Sequence, residues 1–272
     1  MSNFVTTVPS NPMITFTNEF KDKYPSVFTK APKQGLSSRY SFVDSEALIH
    51  KMHDIGWDLN RIINSRSRTE VSKMHGKHMM IFRDRSGISV PDPRNTNKPM
   101  FFEIIATNSS DGRSALKFDA GLFTLVCSNG LVIKSANLGN LYCSHVNINY
   151  DQLHEMIGRF NNYVDYGKER IAKFANHQID KQTAIDMASF VAKARFGQDP
   201  TSKIDPNELI MTRREDDKGD SVWTYMNVIQ ENLIRGGNLS RNQRRTRSIR
   251  NMNVANKINE LVWSAAEQVV GV

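Results

Sequence analysis

Beyond Trp57 the hydrophobic pattern changes period once, near residue 150, and that change limits the folds open to the chain. From Trp57 to about residue 147, apolar and β-branched residues cluster in short runs at 58–66, 78–85, 100–107, 115–118 with 123–127, 131–134 and 141–147. Between them stand Ser86-Gly87, Pro91-Asp92-Pro93, Asp111-Gly112, Asn129-Gly130 and Gly139-Asn140. Asp-Gly and Asn-Gly tolerate the positive φ angles of tight hairpin turns, so these runs predict strands joined by short turns. Strands so closely connected pair antiparallel. After Tyr150 the spacing becomes helical. Leu153, Met156, Ile157, Phe160, Val164, Ile171 and Phe174 form one stripe of a helix over 150–177. Asp180 caps a second helix that runs to Phe196 and stops at Gly197. A third covers 221–234, stopped by Gly236-Gly237, and a last covers 253–270. Strands first and helices after predict an α+β fold, an antiparallel hairpin-rich sheet followed by long helices, rather than a doubly wound α/β fold.

Around this frame the reading is coarser. Residues 1–40, with Pro9, Pro12, Pro25 and Pro32, read as an irregular arm that pairs with a neighbouring subunit, which predicts a homo-oligomer. A short helix follows at about 45–55, capped by Asp44 or Ser45 and ended by Gly56. The expected divisions are an α+β core over 41–198, a linker over 199–220 around a short helix at 206–211, and a helical basic region over 221–272.

Hydrophobic and charged contents of 39% and 24% are ordinary for a globular protein and argue against wholesale disorder. No apolar run approaches the ~18 residues of a spanning helix, and the first residues lack the basic head and apolar block of a secretory signal. Two cysteines make no disulfide framework, so a reducing cytoplasm is the expected compartment, with no membrane partner.

Charge placement is more informative than the net +8. Between Glu231 and Glu260 there is no acidic residue, while Arg235, Arg241, Arg244, Arg245, Arg247, Arg250 and Lys257 all fall in that interval. The stretch uses arginine interleaved with Asn, Gln, Ser and Thr, side chains that hydrogen-bond phosphate oxygens. Nucleic-acid contact is the favoured reading; a subunit contact and an inert solvated surface are the alternatives. A second basic patch holds Arg61, Arg66, Arg68, Lys73, Lys77, Arg83 and Arg85 against only Glu70 and Asp84.

Other clusters carry weaker signals. Cys127, Cys143 and His145 lack the second ligand pair a structural zinc site needs, and two structural thiols are the simpler reading. His50 and His53 lie one helical turn apart, a spacing common on surface helices. The loop Asn108-Ser-Ser-Asp-Gly-Arg-Ser114 is either a polar turn or a phosphate-contacting loop assisted by Arg113 and Lys117. A nucleophile elbow, a phosphate-binding glycine loop, a dinucleotide fingerprint and a metalloprotease motif are all missing, so neither an enzyme nor a cofactor is expected.

Two segments carry a resemblance. Ala106-Thr-Asn-Ser-Ser-Asp-Gly-Arg-Ser-Ala-Leu-Lys-Phe-Asp-Ala-Gly-Leu-Phe-Thr-Leu-Val-Cys-Ser-Asn-Gly-Leu-Val132 resembles the core of the uncharacterised phage/plasmid-like protein family, although Thr124 stands where that family usually has arginine. Asn227-Val-Ile-Gln-Glu-Asn-Leu-Ile-Arg-Gly-Gly237, with Arg244-Arg-Thr-Arg247 and the helix holding Trp263, is similar to its C-terminal pattern. The resemblance covers about residues 40–270 and implies a habitat in phages, plasmids and integrated elements rather than an activity. A sheet of hairpins followed by a long helix also looks, in topology alone, like phage single-strand annealing proteins of the Red-beta and Erf type, which form rings or filaments around a basic groove.

The leading expectation is a phage or mobile-element protein that binds single-stranded nucleic acid, DNA above all, in replication or recombination. Arg241, Arg244, Arg245, Arg247 and Arg250 would neutralise phosphates, and the basic patch from Arg66 to Arg85 would extend the groove. The alternative is an interaction protein that inhibits or redirects a host factor through its basic surface; an undetected metal-dependent enzyme stands third.

Overall fold

The structure, a computed structural model, describes residues 15–38, 40–65, 69–114, 116–124, 131–133 and 150–272. In chain order it contains α1 (Asn18–Lys23), α2 (Pro25–Phe28), α3 (Ser45–Asp54), β1 (Trp57–Asn64), α4 (Glu70–His75), β2 (His78–Asp84), β3 (Ser89–Asp92), β4 (Asn95–Asn108), β5 (Lys117–Thr124), β6 (Leu131–Ile133) and α5 (Tyr150–Asn176). Then follow α6 (Lys181–Phe196), α7 (Pro206–Leu209), a 3-10 turn (Glu215–Asp217), α8 (Val222–Arg235) and α9 (Met252–Val270). Five strands follow the hydrogen-bonded path β1-β2-β4-β5-β6, and β3 pairs with β4 off it. The β1–β2 and β2–β4 ladders are antiparallel, and β1 carries a bulge between Leu59 and Arg61. The fold is α+β, as the change of period predicts.

The chain separates into two compact units, Met1–Ile88 with Phe101–Gly121 and Ser135–Asn162, and Ser89–Met100 with Leu122–Lys134 and Tyr163–Val272. The division falls inside α5, not at the expected boundary near residue 198. In the first unit Asp44 caps α3 through Glu46 N and Ala47 N, and the helix buries Leu48, Ile49 and Met52. Trp57, Leu59, Met80, Phe82, Phe102 and Ile104 are buried sheet residues, and Trp57 meets Phe160 of α5 edge-on at 4.9 Å between ring centres. In the second unit α9 packs on α6 and α8. Its core holds Trp223, Ile229 and Leu233 of α8, Val262 and Trp263 of α9, and Phe174 of α5, whose ring lies 5.1 Å from that of Trp263.

Three sequence expectations change here. Residues 18–28, read as irregular, form two short helices: Thr17 caps the first, and Pro25 opens the second, where its missing N–H costs nothing. Phe16, Phe20, Tyr24 and Phe28 stand four residues apart, and their rings meet in one cluster at 4.9–5.9 Å. The runs at 115–118 and 123–127 are not two strands; Lys117–Thr124 is one strand through Gly121. The stretch 199–220 is not a loose linker, because Ile204, Pro206, Leu209, Ile210 and Asp217 are buried in it. Finally, α4 and β3 had no separate expectation. The expected strand at 141–147 lies outside the described residues.

Candidate nucleic-acid interface

The arginine stretch is an ordered hairpin-like excursion, not a loose run. Helix α8 ends at Arg235, and Gly236 and Gly237 follow at φ +69° and +89°, a region open to glycine at little cost. The returning chain passes so close that a Cβ on Gly236 would lie 2.6 Å from the Arg247 carbonyl oxygen and 2.7 Å from that of Thr246. Gly237 N donates to Thr246 O (2.7 Å), Thr246 N to Asn238 O (2.9 Å) and Ser240 N to Arg244 O (2.9 Å), with Leu239 bridged to Arg245. The missing side chain of Gly236 thus admits the chain's own returning backbone.

Neighbouring segments pin this excursion. Arg241 N donates to Lys203 O (2.9 Å), Leu239 N to a Glu208 carboxylate oxygen (3.0 Å) and Asn238 Nδ2 to Glu208 O (2.8 Å). Arg195 of α6 donates to the carbonyls of Leu233 and Arg247, and Arg213 donates to Asn232 Oδ1 (2.6 Å) and to the Gly236 carbonyl. These guanidinium groups satisfy carbonyls at the end of α8 that the helix leaves without partners. The Asn227–Gly237 segment turns most of its polar side chains to the same task. Gln230 donates to Asn259 (2.9 Å), and Asn232 donates to the carbonyls of Leu209 and Met211 (2.9 Å each). Glu231, buried, pairs with Arg235 (2.7 Å) and with Arg214.

A buried ladder of alternating charge extends from Glu231. Arg214 also pairs with Asp217 (3.1 Å), Asp217 with Arg94 (3.0 Å) and Arg94 with Asp92 (2.7 Å), while Trp223 Nε1 donates to Asp92 (3.1 Å). Burial works to raise the Asp92 carboxyl, but Arg94 beside it prevails and holds it below the usual carboxylate range. Arg195, Arg213 and the ladder's links from Arg94 to Asp217 and from Trp223 to Asp92 escaped sequence reading, since these partners stand 19 to 131 residues away and leave no local pattern.

The predicted arginines then divide. Arg235 is held by Glu231, Arg241 donates to Thr201 O (3.2 Å), and Arg245 donates to Gly237 O (2.8 Å). Arg244, Arg247 and Arg250 are exposed, and none of their guanidinium groups has a partner among the described residues.

The sheet patch is different. Arg66 and Arg68 lie outside the described residues. Arg83 pairs with Glu103 (2.5 Å) and stacks over Phe101, 3.8 Å from the ring centre; Asn60 also donates to Glu103 (2.7 Å). Glu103 has no exposed surface, and burial pushes its carboxyl above the usual range despite the favourable charges of Arg83 and Arg61. Arg85 pairs with Asp58 (2.7 Å), and Lys73 with Glu70. The patch was read as facing Glu70 and Asp84 alone; strand pairing adds Glu103 from β4, and the antiparallel β1–β2 pairing brings Asp58 to Arg85. Lys77 is half-buried beside His78, and its carbonyl accepts from Ser65 N (2.9 Å).

The 108–114 loop supports the turn reading. Asn108, Ser109 and Ser110 are buried, and Gly112 sits at φ +75°. Asn108 donates to Val43 O (3.1 Å) and Ser45 Oγ (2.9 Å), Ser110 meets His75 Nδ1 (3.0 Å), and Tyr40 donates to Ser109 O (2.9 Å). Arg113 is exposed, while Lys117 pairs with Asp119 (3.0 Å). His78, fully buried, meets Ser45 Oγ through Nε2 (2.9 Å) and Gly76 O through Nδ1 (3.2 Å), and burial drives its imidazole down to about 4. His50 lies near the Phe16 ring, whereas His53 pairs with Asp58 (2.6 Å). Cys127, Cys143 and His145 lie outside the described residues, and among those described no three His, Cys, Asp or Glu side chains gather for a metal. No helix among them is long and apolar enough to cross a membrane.

Two curated relatives from Escherichia coli (strain K12) are similar over nearly the whole chain. UPF0380 protein YafZ is 28% identical over 257 residues, covering 90% of this chain and 88% of its own. UPF0380 protein YfjQ is 28% identical over 261 residues with the same shares. No solved structure matches the chain, so the topological likeness to annealing proteins gains no support from that side. Residues 34–261 match the domain of unknown function DUF932, and the chain belongs to that uncharacterised family.

Proposed function

We propose that the chain binds single-stranded nucleic acid, with DNA favoured, through the arginine hairpin, and serves a phage or mobile element in replication or recombination. The observation that carries this reading is the trio Arg244, Arg247 and Arg250: exposed cations without carboxylate partners among the described residues, on a backbone fixed from both sides. A pre-ordered cationic loop binds a polyanion without first losing loop entropy. Phosphate contact supplies sequence-independent affinity by releasing counterions. Arg241, Arg245 and Arg235 lie in the same stretch, but their present partners would have to yield before they reach a phosphate.

The test is a gel shift against single- and double-stranded DNA and RNA, with size determination in parallel. Retention of single strands that weakens with salt, by an oligomer larger than the 31.0 kDa chain, is the expected result. If a folded Arg244→Ala, Arg245→Ala, Arg247→Ala protein binds as the parent does, the reading fails. Stoichiometric capture of a host protein without nucleic-acid binding would point to an interaction protein instead.

A further inference from the structure

Among the described residues the exposed large apolar side chains are Val71, Met74, Met211, Leu239 and Val272; Leu239 lies in the arginine hairpin, and Met211 stands two residues before Arg213, which reaches that hairpin. Met211 is 59% exposed and Leu239 38%. Neither is on a loose segment. Asn232 Nδ2 holds the Met211 carbonyl, Glu208 holds the Leu239 amide, and Leu239 is bridged to Arg245. The two segments meet through Arg213, which donates to Asn232 Oδ1 and reaches Asn238 Oδ1 at 3.4 Å, next to Leu239. The backbone therefore keeps two apolar side chains in water, at a free-energy cost that a bound partner would relieve.

The arginines select the kind of partner. Residues opposite one another on paired strands bring their Cβ atoms to roughly 5 Å, so Leu239 lies opposite Arg245, on the segment that also carries the exposed Arg244 and Arg247, and sets an apolar contact beside cations. One nucleotide offers the matching pair, a flat base face beside a phosphate. No residue from 235 to 250 is aromatic, so contact with a base face, beyond what arginine stacking supplies, falls to aliphatic side chains. Leu and Met serve other nucleic-acid-binding proteins as wedges against base steps.

We infer that Leu239 and Met211 contact the faces of unpaired bases while the hairpin arginines hold the phosphates, so the surface distinguishes a base-bearing single strand from a bare polyanion. This rests on the nucleic-acid reading above. The experiment compares oligothymidylate with an abasic deoxyribose-phosphate strand of equal length and charge, by fluorescence anisotropy over a range of salt. The parent protein is expected to prefer oligothymidylate by on the order of tenfold. Leu239→Ser and Met211→Ser should each reduce that preference several-fold and leave the salt slope unchanged, because the phosphate contacts remain. Both side chains are exposed, so the variants should fold, and two independent positions guard against a local defect in one. Equal binding of both strands with a normal salt slope would overturn the base contact while sparing the nucleic-acid reading. Serine variants that keep the full preference would overturn it as well, and binding to neither strand would overturn both readings. If an acidic peptide of matching charge is bound instead and depends on Leu239, the partner is a protein and the inference is wrong.

Discussion

The sheet patch and the hairpin have similar arginine content, yet the fold treats them in opposite ways. On the sheet, Arg83 and Arg85 meet Glu103 and Asp58, carboxylates contributed by the neighbouring strands β4 and β1. At the hairpin, Arg195 and Arg213, contributed from elsewhere, donate to backbone carbonyls, and Arg244, Arg247 and Arg250 keep exposed guanidinium groups without carboxylates among the described residues. Composition alone does not separate a structural ion pair from a surface ready for a polyanion. The identity of the cross-strand neighbour does.

The largest expected effect breaks the comparison on the sheet side. Glu103→Ala would leave Arg83, 22% exposed, and Arg61 without their buried counter-charge, and should cost about 3 kcal/mol in urea unfolding. Arg244→Ala should change stability by less than about 0.5 kcal/mol, as exposed substitutions do. Equal losses from the two would mean the hairpin arginine has a structural partner after all.

A second prediction uses acid. His78 has a folded value near 4 against an ordinary 6.5, because burial disfavours the charged ring. The unfolded chain takes up its proton first as pH falls, so this contribution is complete above about 6.5 and lost as pH falls to about 4. The loss is about 3 kcal/mol, and His78→Gln should flatten it. Residues 235–250 contain no side chain that titrates in this window, so the hairpin's own charge should stay constant across it.

Third, Gly236→Ala forces a Cβ toward the Thr246 and Arg247 backbone at positive φ, and should cost roughly 1–3 kcal/mol while weakening nucleic-acid binding. Faster amide exchange at Gly237 and Thr246 would locate the damage in the hairpin. Unchanged exchange with weaker binding would mean that hairpin order is not what presents the arginines. Arg85→Ala should have the smallest effect on the sheet side, about 1 kcal/mol or less, since the Arg85 side chain of the Arg85–Asp58 pair is 53% exposed.

Much of this fold was legible in the sequence, because the deciding signals are local. The change of period near 150 extends over neighbouring residues, and the Asp180 cap, the Gly197 stop and the Gly236 stop each act within one helical turn. The aromatic spacing from Phe16 to Phe28 was also visible, although the prolines masked it. The site was legible only in part. The absence of acids between Glu231 and Glu260 marked the exposed arginines. The Arg195 and Arg213 contacts, the pairing of Arg83 with Glu103, and the links from Arg94 to Asp217 and from Trp223 to Asp92 join residues distant in sequence. No periodicity records which strand will lie beside which.

The contrast between the two basic regions is tested most directly by the salt dependence of single-stranded DNA binding. Each hairpin phosphate contact should contribute a slope of about −0.7 in log affinity against log salt. Arg244→Ala, Arg247→Ala and Arg250→Ala should each flatten the parent slope by about that amount, whereas Arg85→Ala should leave it unchanged. A slope that flattens with Arg85→Ala and holds through the three hairpin substitutions would contradict the account.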